Sequence, residues 1–436
     1  VFNRYFYLVG SYSQLSNFSD KEILQKLASV SSFYTDACIL VSNDFPGSEK
    51  KILAGIGSVK KVVSLTEENA FEILKKEISA SNRWLFGHFS YDLKNANEHL
   101  FSKNPNGMDF PLANFFEPEF LVQFENEKTS IKTNGNAKPE NLFSNVTEIK
   151  TESIAAFKLK ARTPRAEYIS NAKKLIDHIR RGDIYEINYC IEFFAEHVVI
   201  NPAEIFLKLN SLAEAPFSAL YKNGDQWLIC ASPERFLQKK GSRIISQPIK
   251  GTRQRGKSIE EDELLKKELF LDAKERSENV MIVDLVRNDL SKSAKKGTVH
   301  VEELFGIHSF KSVHQMISTI SAESKENIHP IDIIRNAFPM GSMTGAPKIK
   351  AMQLAEEFEN RKRGLYSGSV GYFTPELDFD FNVVIRSIQY NSKTGYISLM
   401  VGSAITANAD PEKEYEECLL KAKTLFESLG VEWSSE

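Results

Sequence analysis

Long hydrophobic runs, a cysteine framework and a dominant charge sign are all missing from this chain of 436 residues. No run approaches the roughly 18 apolar residues that a membrane-crossing helix needs, so no membrane association is expected. Lys and Arg number 55 against 58 Asp and Glu, a net charge of −3, with the signs interspersed. Nothing marks a nucleic-acid binder. The four cysteines, Cys38, Cys190, Cys230 and Cys418, are isolated and far apart. That excludes metal-ligand spacing and a secreted disulfide pattern, and each reads as a buried, reduced thiol. None lies in a Gly-x-Cys-x-Gly setting, so a thiol nucleophile of the glutamine-amidase type is absent. Internal repeats and low-complexity segments are absent too. The opening stretch Val1-Phe2-Asn3-Arg4-Tyr5-Phe6-Tyr7 has no signal-peptide arrangement, and a cytoplasmic location is the expectation.

What is present is ordinary globular composition, 42% hydrophobic and 26% charged. Asp36 to Ser42 reads as a buried strand, Glu67 to Ile78 as an amphipathic helix, and Trp84 to Leu93 as an aromatic-rich strand ending in a turn. Asn126 to Asn145 is polar, with Gly135 and Pro139, and is the linker candidate. A helix follows: Thr163 can cap it, Pro164 suits its first position, Tyr168, Ala172, Leu175, Ile176 and Ile179 form its stripe, and Gly182 closes it. Strands are expected over 184–194, 217–222, 227–231 and 236–238, with a second capped helix starting at Asn201-Pro202.

Two acidic helix stripes stand out. Ser258 and Glu261 have capping-box spacing, as do Asp272 and Glu275. Glu275 and Glu278 share one face and run into Val280 to Val286, apolar nearly all round and expected to be buried. In the last helix Asp410 caps, Pro411 starts and Gly430 stops, while Glu414, Glu417 and Lys421 line up beside the apolar stripe. Each stripe reads either as a solvated or salt-bridged helix face or as the hard-oxygen ligands that Mg²⁺ takes one or two at a time. Between them, Pro339 to Lys348 is a glycine-rich turn before a helix, which can offer N–H groups to an anion but lacks the Gly-Lys-Ser/Thr end of a P-loop. Pro248-Ile249-Lys250-Gly251-Thr252 places a lysine in a turn-forming, apolar setting. It is either a surface lysine or one kept from water, with a depressed pKa and nucleophilic character.

Ser-Pro-Glu-Arg-Phe, Pro-Ile-Lys-Gly-Thr, Lys-Glu-Arg-x-Glu, Val-Asp-Leu-x-Arg-Asn-Asp, Gly-Ala-Pro-Lys and Glu-Tyr-x-Glu follow one another in this order. From about Thr163 to Gly430 the chain thereby resembles the chorismate-utilising enzymes, which include anthranilate synthase component I, aminodeoxychorismate synthase component I and the isochorismate and salicylate synthases. The resemblance implies an α+β fold of two packed antiparallel sheets with helices outside. It also implies an N-terminal α/β region over residues 1–150 packing on a chorismate-binding catalytic domain over 160–432. By position, Glu278 and Glu417 would ligate Mg²⁺ with Glu275 and Glu414 behind them. Arg386 and Tyr366 would hold the enolpyruvyl carboxylate, and Ser342 and Thr344 would fall in the anion-binding turn. Gly402 and Lys421 would lie near the metal-side carboxylate, and Glu234 would protonate the leaving 4-hydroxyl.

Within that family Lys250 matches the aminodeoxychorismate synthases, where the anthranilate synthases carry Ala. The implied activity is conversion of chorismate and ammonia to 4-amino-4-deoxychorismate for para-aminobenzoate and folate synthesis. The ammonia would come from a glutamine amidotransferase subunit on a separate chain; anthranilate synthase component I is the alternative. Glu186 stands where the water-using relatives carry Lys and the ammonia-using ones usually Gln, and the resemblance assigns it no role. Gln315 stands where anthranilate synthases carry a His associated with pyruvate elimination, with His314 beside it.

Overall fold

The computed structural model describes residues 9–10, 19–43, 45, 51–98, 100–125, 128–144, 157–311 and 313–433. Among the described residues twenty strands join in one antiparallel ladder with two arms. Ala113–Glu125 is the junction. One edge pairs along its length with Ile52–Ser64; the other pairs with Leu85–Phe89 and then Lys128–Thr133. From Ile52–Ser64 the first arm continues through Asp36–Val41, Phe217–Asn223, Gln226–Ser232, Ser387–Asn391 and Tyr396–Ile405 to Glu186–Ala195. From Leu85–Phe89 the second arm runs through Ser369–Phe373, Phe379–Asn382, Arg235–Lys240 and Arg243–Gln247 to Val313–Glu323.

Alternation along the strands explains why the arms stack as two layers. In Gln226–Ser232, Trp227, Ile229 and Ala231 pack into one buried cluster while Leu228 and Cys230 pack into another. Leu85–Phe89 divides likewise, with Leu85 and Phe89 on one side and Phe86 on the other. The shared inner cluster joins Leu228, Cys230 and Tyr221 of the first arm to Phe86 and Val370 of the second. It is the core between the sheets. The outer cluster of the first arm takes in Tyr168 and Leu175 of helix Arg165–Arg180 and Leu425 of helix Pro411–Leu429, and that of the second takes in Ile282 of helix Ala273–Ser293. Both sheet faces are therefore covered, with helices outside. The expected α+β architecture is the observed one.

Local signals fix the helices that position the site. Ser258 Oγ accepts from Glu261 N at 3.2 Å to start helix Ile259–Leu271. Asp272 ends that helix and starts the next, its carboxylate accepting from the backbone N of Lys274 at 3.0 Å and of Glu275 at 3.1 Å. Asp410 caps Pro411–Leu429 by accepting from Glu412 N at 3.0 Å, and Gly430 closes it in the left-handed region at φ 70. A capping carboxylate of this kind contributes about 1 kcal/mol.

Several expectations need correction. Thr163 does not cap: the helix opens on Pro164 without a side-chain cap, and the Thr163 hydroxyl lies near Asn360 Nδ2, which donates to it at 3.4 Å. The helix expected from Glu67 starts at Ala70, because Asn69 takes a left-handed φ of 55 and turns the chain first. Val280 is 42% exposed and Asp284 is exposed, so the segment 280–286 is amphipathic rather than buried all round. The linker candidate contains strand Lys128–Thr133 on the edge of Ala113–Glu125; its ends at 126, 127 and 145 lie outside the described residues, as does the opening 1–7. Among the described residues no helix is long and apolar enough to cross a membrane.

Candidate active site

A cavity of about 810 Å³ opens between the two acidic helices, the bulged strand carrying Lys250 and the loops at one end of the sandwich. Lys250 reaches it by a break in register. Ile249 pairs with Ile317 and Thr252 with Gln315, so Lys250 and Gly251 together face one residue of the neighbouring strand. Such a bulge re-aims a side chain out of the ladder. Gly251 supplies the φ of 94 that the bulge requires, and a Cβ there would stand 3.3 Å from the Glu275 side chain.

The Lys250 ammonium meets Glu186 Oε1 at 2.5 Å, and both side chains are nearly buried. Burial works against its charge, but Glu186, Glu278 and Glu417 outweigh it and hold Lys250 above the ordinary lysine value. The depressed pKa anticipated from the sequence is reversed, because the pocket that excludes water also supplies three carboxylates. Glu186 leads strand Glu186–Ala195, where its neighbour across the ladder is Ala346. Gly345 makes that approach feasible: with φ at 150, a Cβ there would fall 2.1 Å from the Glu186 carbonyl oxygen.

Glu234 sits in the two-residue turn between Gln226–Ser232 and Arg235–Lys240. Its N–H donates to Ser232 Oγ at 3.2 Å, and Ser232 Oγ donates to Val383 O at 2.6 Å, which pins the turn. The carboxyl is 4% exposed and accepts from Ser342 Oγ at 2.6 Å. Burial pushes its pKa up to about 7, against the opposing pull of the Ser342 hydrogen bond and the Lys250 charge. A carboxyl of this kind holds a proton near neutrality and can deliver it.

The two Glu-x-x-Glu pairs face one another across the cavity, joined by a residue that the sequence reading passed over. Lys274 Nζ lies 3.1 Å from Glu414 Oε1 and 3.7 Å from Glu278 Oε1, tying the starts of the two helices. Its signal was the spacing of four from Glu278. Burial raises the pKa of Glu275, Glu414 and Glu278, the last to about 7. For Glu417, burial is outweighed by Lys421, whose Nζ is 2.6 Å away, and its pKa is lowered. Glu278 Oε1 and Glu414 Oε2 are buried without a hydrogen-bond partner. Buried, mutually repelling carboxylates with orphaned oxygens are what a divalent cation would satisfy. Among the described residues no three such side chains converge into a complete metal shell. Mg²⁺ commonly takes one or two carboxylates and leaves the remaining positions to substrate and water.

At the other end, Arg386 holds a left-handed backbone at φ 51 and donates from Nη1 to Lys421 O at 3.0 Å, one of five guanidinium donors. Lys421 Nζ donates to Gly402 O at 2.9 Å. Tyr366 is 3% exposed, and burial holds its phenol well above the ordinary pKa. Its loop is fixed by Arg363, a fully buried guanidinium that pairs with Glu359 at 2.5 Å and donates to Met343 O at 2.7 Å.

Lys250, Glu234, Arg386, Tyr366, Ser342, Gly402, Lys421, Glu278, Glu417, Glu275 and Glu414 all line the cavity; Thr344 does not. Its hydroxyl donates to Met340 O at 3.1 Å and lies 3.2 Å from Gly341 O, closing the turn from inside. Gln315 lines the cavity with its Oε1 buried and unpartnered. His314 points away: its Nε2 lies 2.8 Å from Asp262 and its Nδ1 2.9 Å from Ser309 Oγ.

Residues 36–427 match the family described as chorismate binding enzyme. The chain belongs to that family. A probable aminodeoxychorismate synthase, chloroplastic, from Oryza sativa subsp. japonica is 42% identical over 260 residues, 59% of this chain and 29% of that protein. This chorismate-binding enzyme thus spans under a third of the rice relative. The anthranilate synthase component 1 of Thermus thermophilus is 32% identical over 358 residues, 79% of this chain and 77% of that one. Anthranilate synthase component I from Streptococcus pneumoniae TIGR4 shares the fold with a TM-score of 0.76 at 23% identity, covering 87% of this chain and 92% of that chain.

Proposed function

We propose that this chain is an aminodeoxychorismate synthase component I, converting chorismate and ammonia to 4-amino-4-deoxychorismate on the way to para-aminobenzoate and folate. The observation that carries this reading is Lys250, bulged into the cavity whose wall also carries the proton-holding Glu234. A nucleophile entering chorismate at C2 pushes the conjugated double bonds round the ring and expels the C4 hydroxyl, which Glu234 protonates so that it leaves as water. One such displacement leaves the new group at C2. A second, with ammonia entering at C4 and Lys250 leaving from C2, places nitrogen at C4. A covalent lysine therefore sets the position of amination. Arg386 and Tyr366 would grip the enolpyruvyl carboxylate, the guanidinium as a planar fork. Glu278 and Glu417, backed by Glu275 and Glu414, would hold Mg²⁺, which when bound supplies the positive charge that lets an anionic substrate approach four carboxylates. Ammonia would come from a glutamine amidotransferase subunit on another chain, in the cytoplasm.

Lys250→Ala tests the reading. Formation of 4-amino product from chorismate, ammonium and Mg²⁺ is expected to fall by orders of magnitude with the covalent step gone. Mass spectrometry of wild-type enzyme quenched with chorismate and no ammonia is expected to find an adduct on the peptide containing Lys250. Normal 4-amino synthesis by the variant overturns the reading. The alternative, anthranilate synthase component I, draws support from the breadth of the match to the Thermus thermophilus relative. Its products, an aromatic 2-amino acid and pyruvate, distinguish it in the same assay. Gln315 on the cavity wall, where a basic histidine would serve elimination, favours the first reading.

A further inference from the structure

The Lys250–Glu186 pair poses a chemical problem for a nucleophilic lysine. An ammonium has no lone pair, and Lys250 is held as one by a carboxylate at 2.5 Å. Glu186 is itself 1% exposed, its Oε2 has no hydrogen-bond partner, and it is absent from the residues that line the cavity. The free oxygen leaves Glu186 with unused acceptor capacity directly beside the lysine nitrogen. Placed behind the lysine rather than on the cavity wall, it reaches the lysine nitrogen and not the ring of a bound substrate.

Resting on the covalent reading above, we propose that Glu186 is the base that frees Lys250 to attack and returns its proton when the lysine leaves. In the first half-reaction the ammonium gives a proton to Glu186 Oε1. The freed lone pair forms the N–C2 bond, the ring electrons shift, and the C4–O bond breaks toward oxygen, which takes the proton of Glu234 and leaves as water. The lysine nitrogen, now a secondary ammonium, is already a competent leaving group. In the second half-reaction the ammonia lone pair forms the N–C4 bond and the C2–N bond breaks toward the lysine. The neutral lysine then recovers the proton stored on Glu186. The new C4 ammonium carries the proton that restores Glu234, so chorismate plus ammonia gives aminated product plus water.

Glu186→Gln keeps the shape and an acceptor for Lys250 but cannot take the proton. With chorismate, Mg²⁺ and no ammonia, its rate of Lys250 adduct formation, followed by quenched-flow mass spectrometry, is expected to fall at least about 100-fold with chorismate affinity retained. In Glu186→Ala, formate and acetate are expected to restore adduct formation, the more basic carboxylate more effectively. A wild-type adduct rate in Glu186→Gln overturns the proposal. So does an Ala variant indifferent to added carboxylates, because Glu186 would then only hold the lysine in place. A wild-type enzyme that forms no adduct, together with a Lys250→Ala variant that still makes the 4-amino product, overturns the covalent reading itself.

Discussion

A carboxyl group that is to give up a proton near neutrality must still hold one there. For Glu234, burial meets this condition and Ser342 works against it, because the hydroxyl donates to the charged form. With the folded pKa near 7, the acid form predominates below that value, so kcat/KM is expected to fall as pH rises through about 7. In Ser342→Ala the counter-pull is lost and the falling limb of the kcat/KM profile should move to higher pH; an unmoved limb would assign it to another group. The same shift has a stability side. A carboxyl whose folded pKa exceeds its ordinary 4.5 contributes in full below that value, and the contribution is lost as pH rises through about 7. Both Glu234 and Lys250 were legible in the sequence because their motifs are local. The Lys250–Glu186 pair was not, since its members come from separate strands and only the ladder brings them together. The sign of the Lys250 shift was misread for the same reason: its carboxylates lie on other elements.

At the scale of elements, the cavity depends on two helix starts held face to face. Asp272 and Asp410 fix where those helices begin, and hence which turn presents Glu275 and Glu278 or Glu414 and Glu417. Glu278→Gln or Glu417→Gln removes one negative charge from the proposed cation site while keeping its shape. Each is expected to raise the Mg²⁺ concentration needed for half-maximal activity and to weaken chorismate binding together with it. A titration with unchanged metal dependence would remove that residue from the ligand set. Caps were readable because their chemistry lies within three residues. Strand Lys128–Thr133 was not: its buried positions are Thr129, Ile131 and Thr133, so one strongly apolar side chain had to carry the whole alternation. The relative placement of the two acidic helices was also beyond reach, since Lys274 joins them across 140 positions of sequence.

For the whole molecule, the sheets are woven from both halves of the chain. Asp36–Val41 pairs with Phe217–Asn223, and Leu85–Phe89 with Ser369–Phe373, pairings that no local pattern encodes. The α+β sandwich could be anticipated from the motifs, whereas the strand order could not. None of the four cysteines lines the cavity, and burial raises the pKa of every thiol. A glutaminase thiolate is therefore not available at this site. The purified chain is expected to turn over with ammonium salts and to show no product with glutamine alone; efficient glutamine-dependent turnover would eliminate the separate amidotransferase.

The cysteines also happen to sample different layers of the sandwich. Cys38 and Cys230 lie in the core between the sheets, Cys190 on the inward face of first-arm strand Glu186–Ala195 in the cluster that holds Met343 and Met400, and Cys418 in the outer core under the last helix. A thiol-specific reagent added to the native protein can reach each one only after its own layer opens. Labelling of Cys418 times the lifting of the helix that carries Glu414 and Glu417, while labelling of Cys38 and Cys230 times the parting of the sheets. The chain thus carries built-in clocks for the order in which its layers come apart.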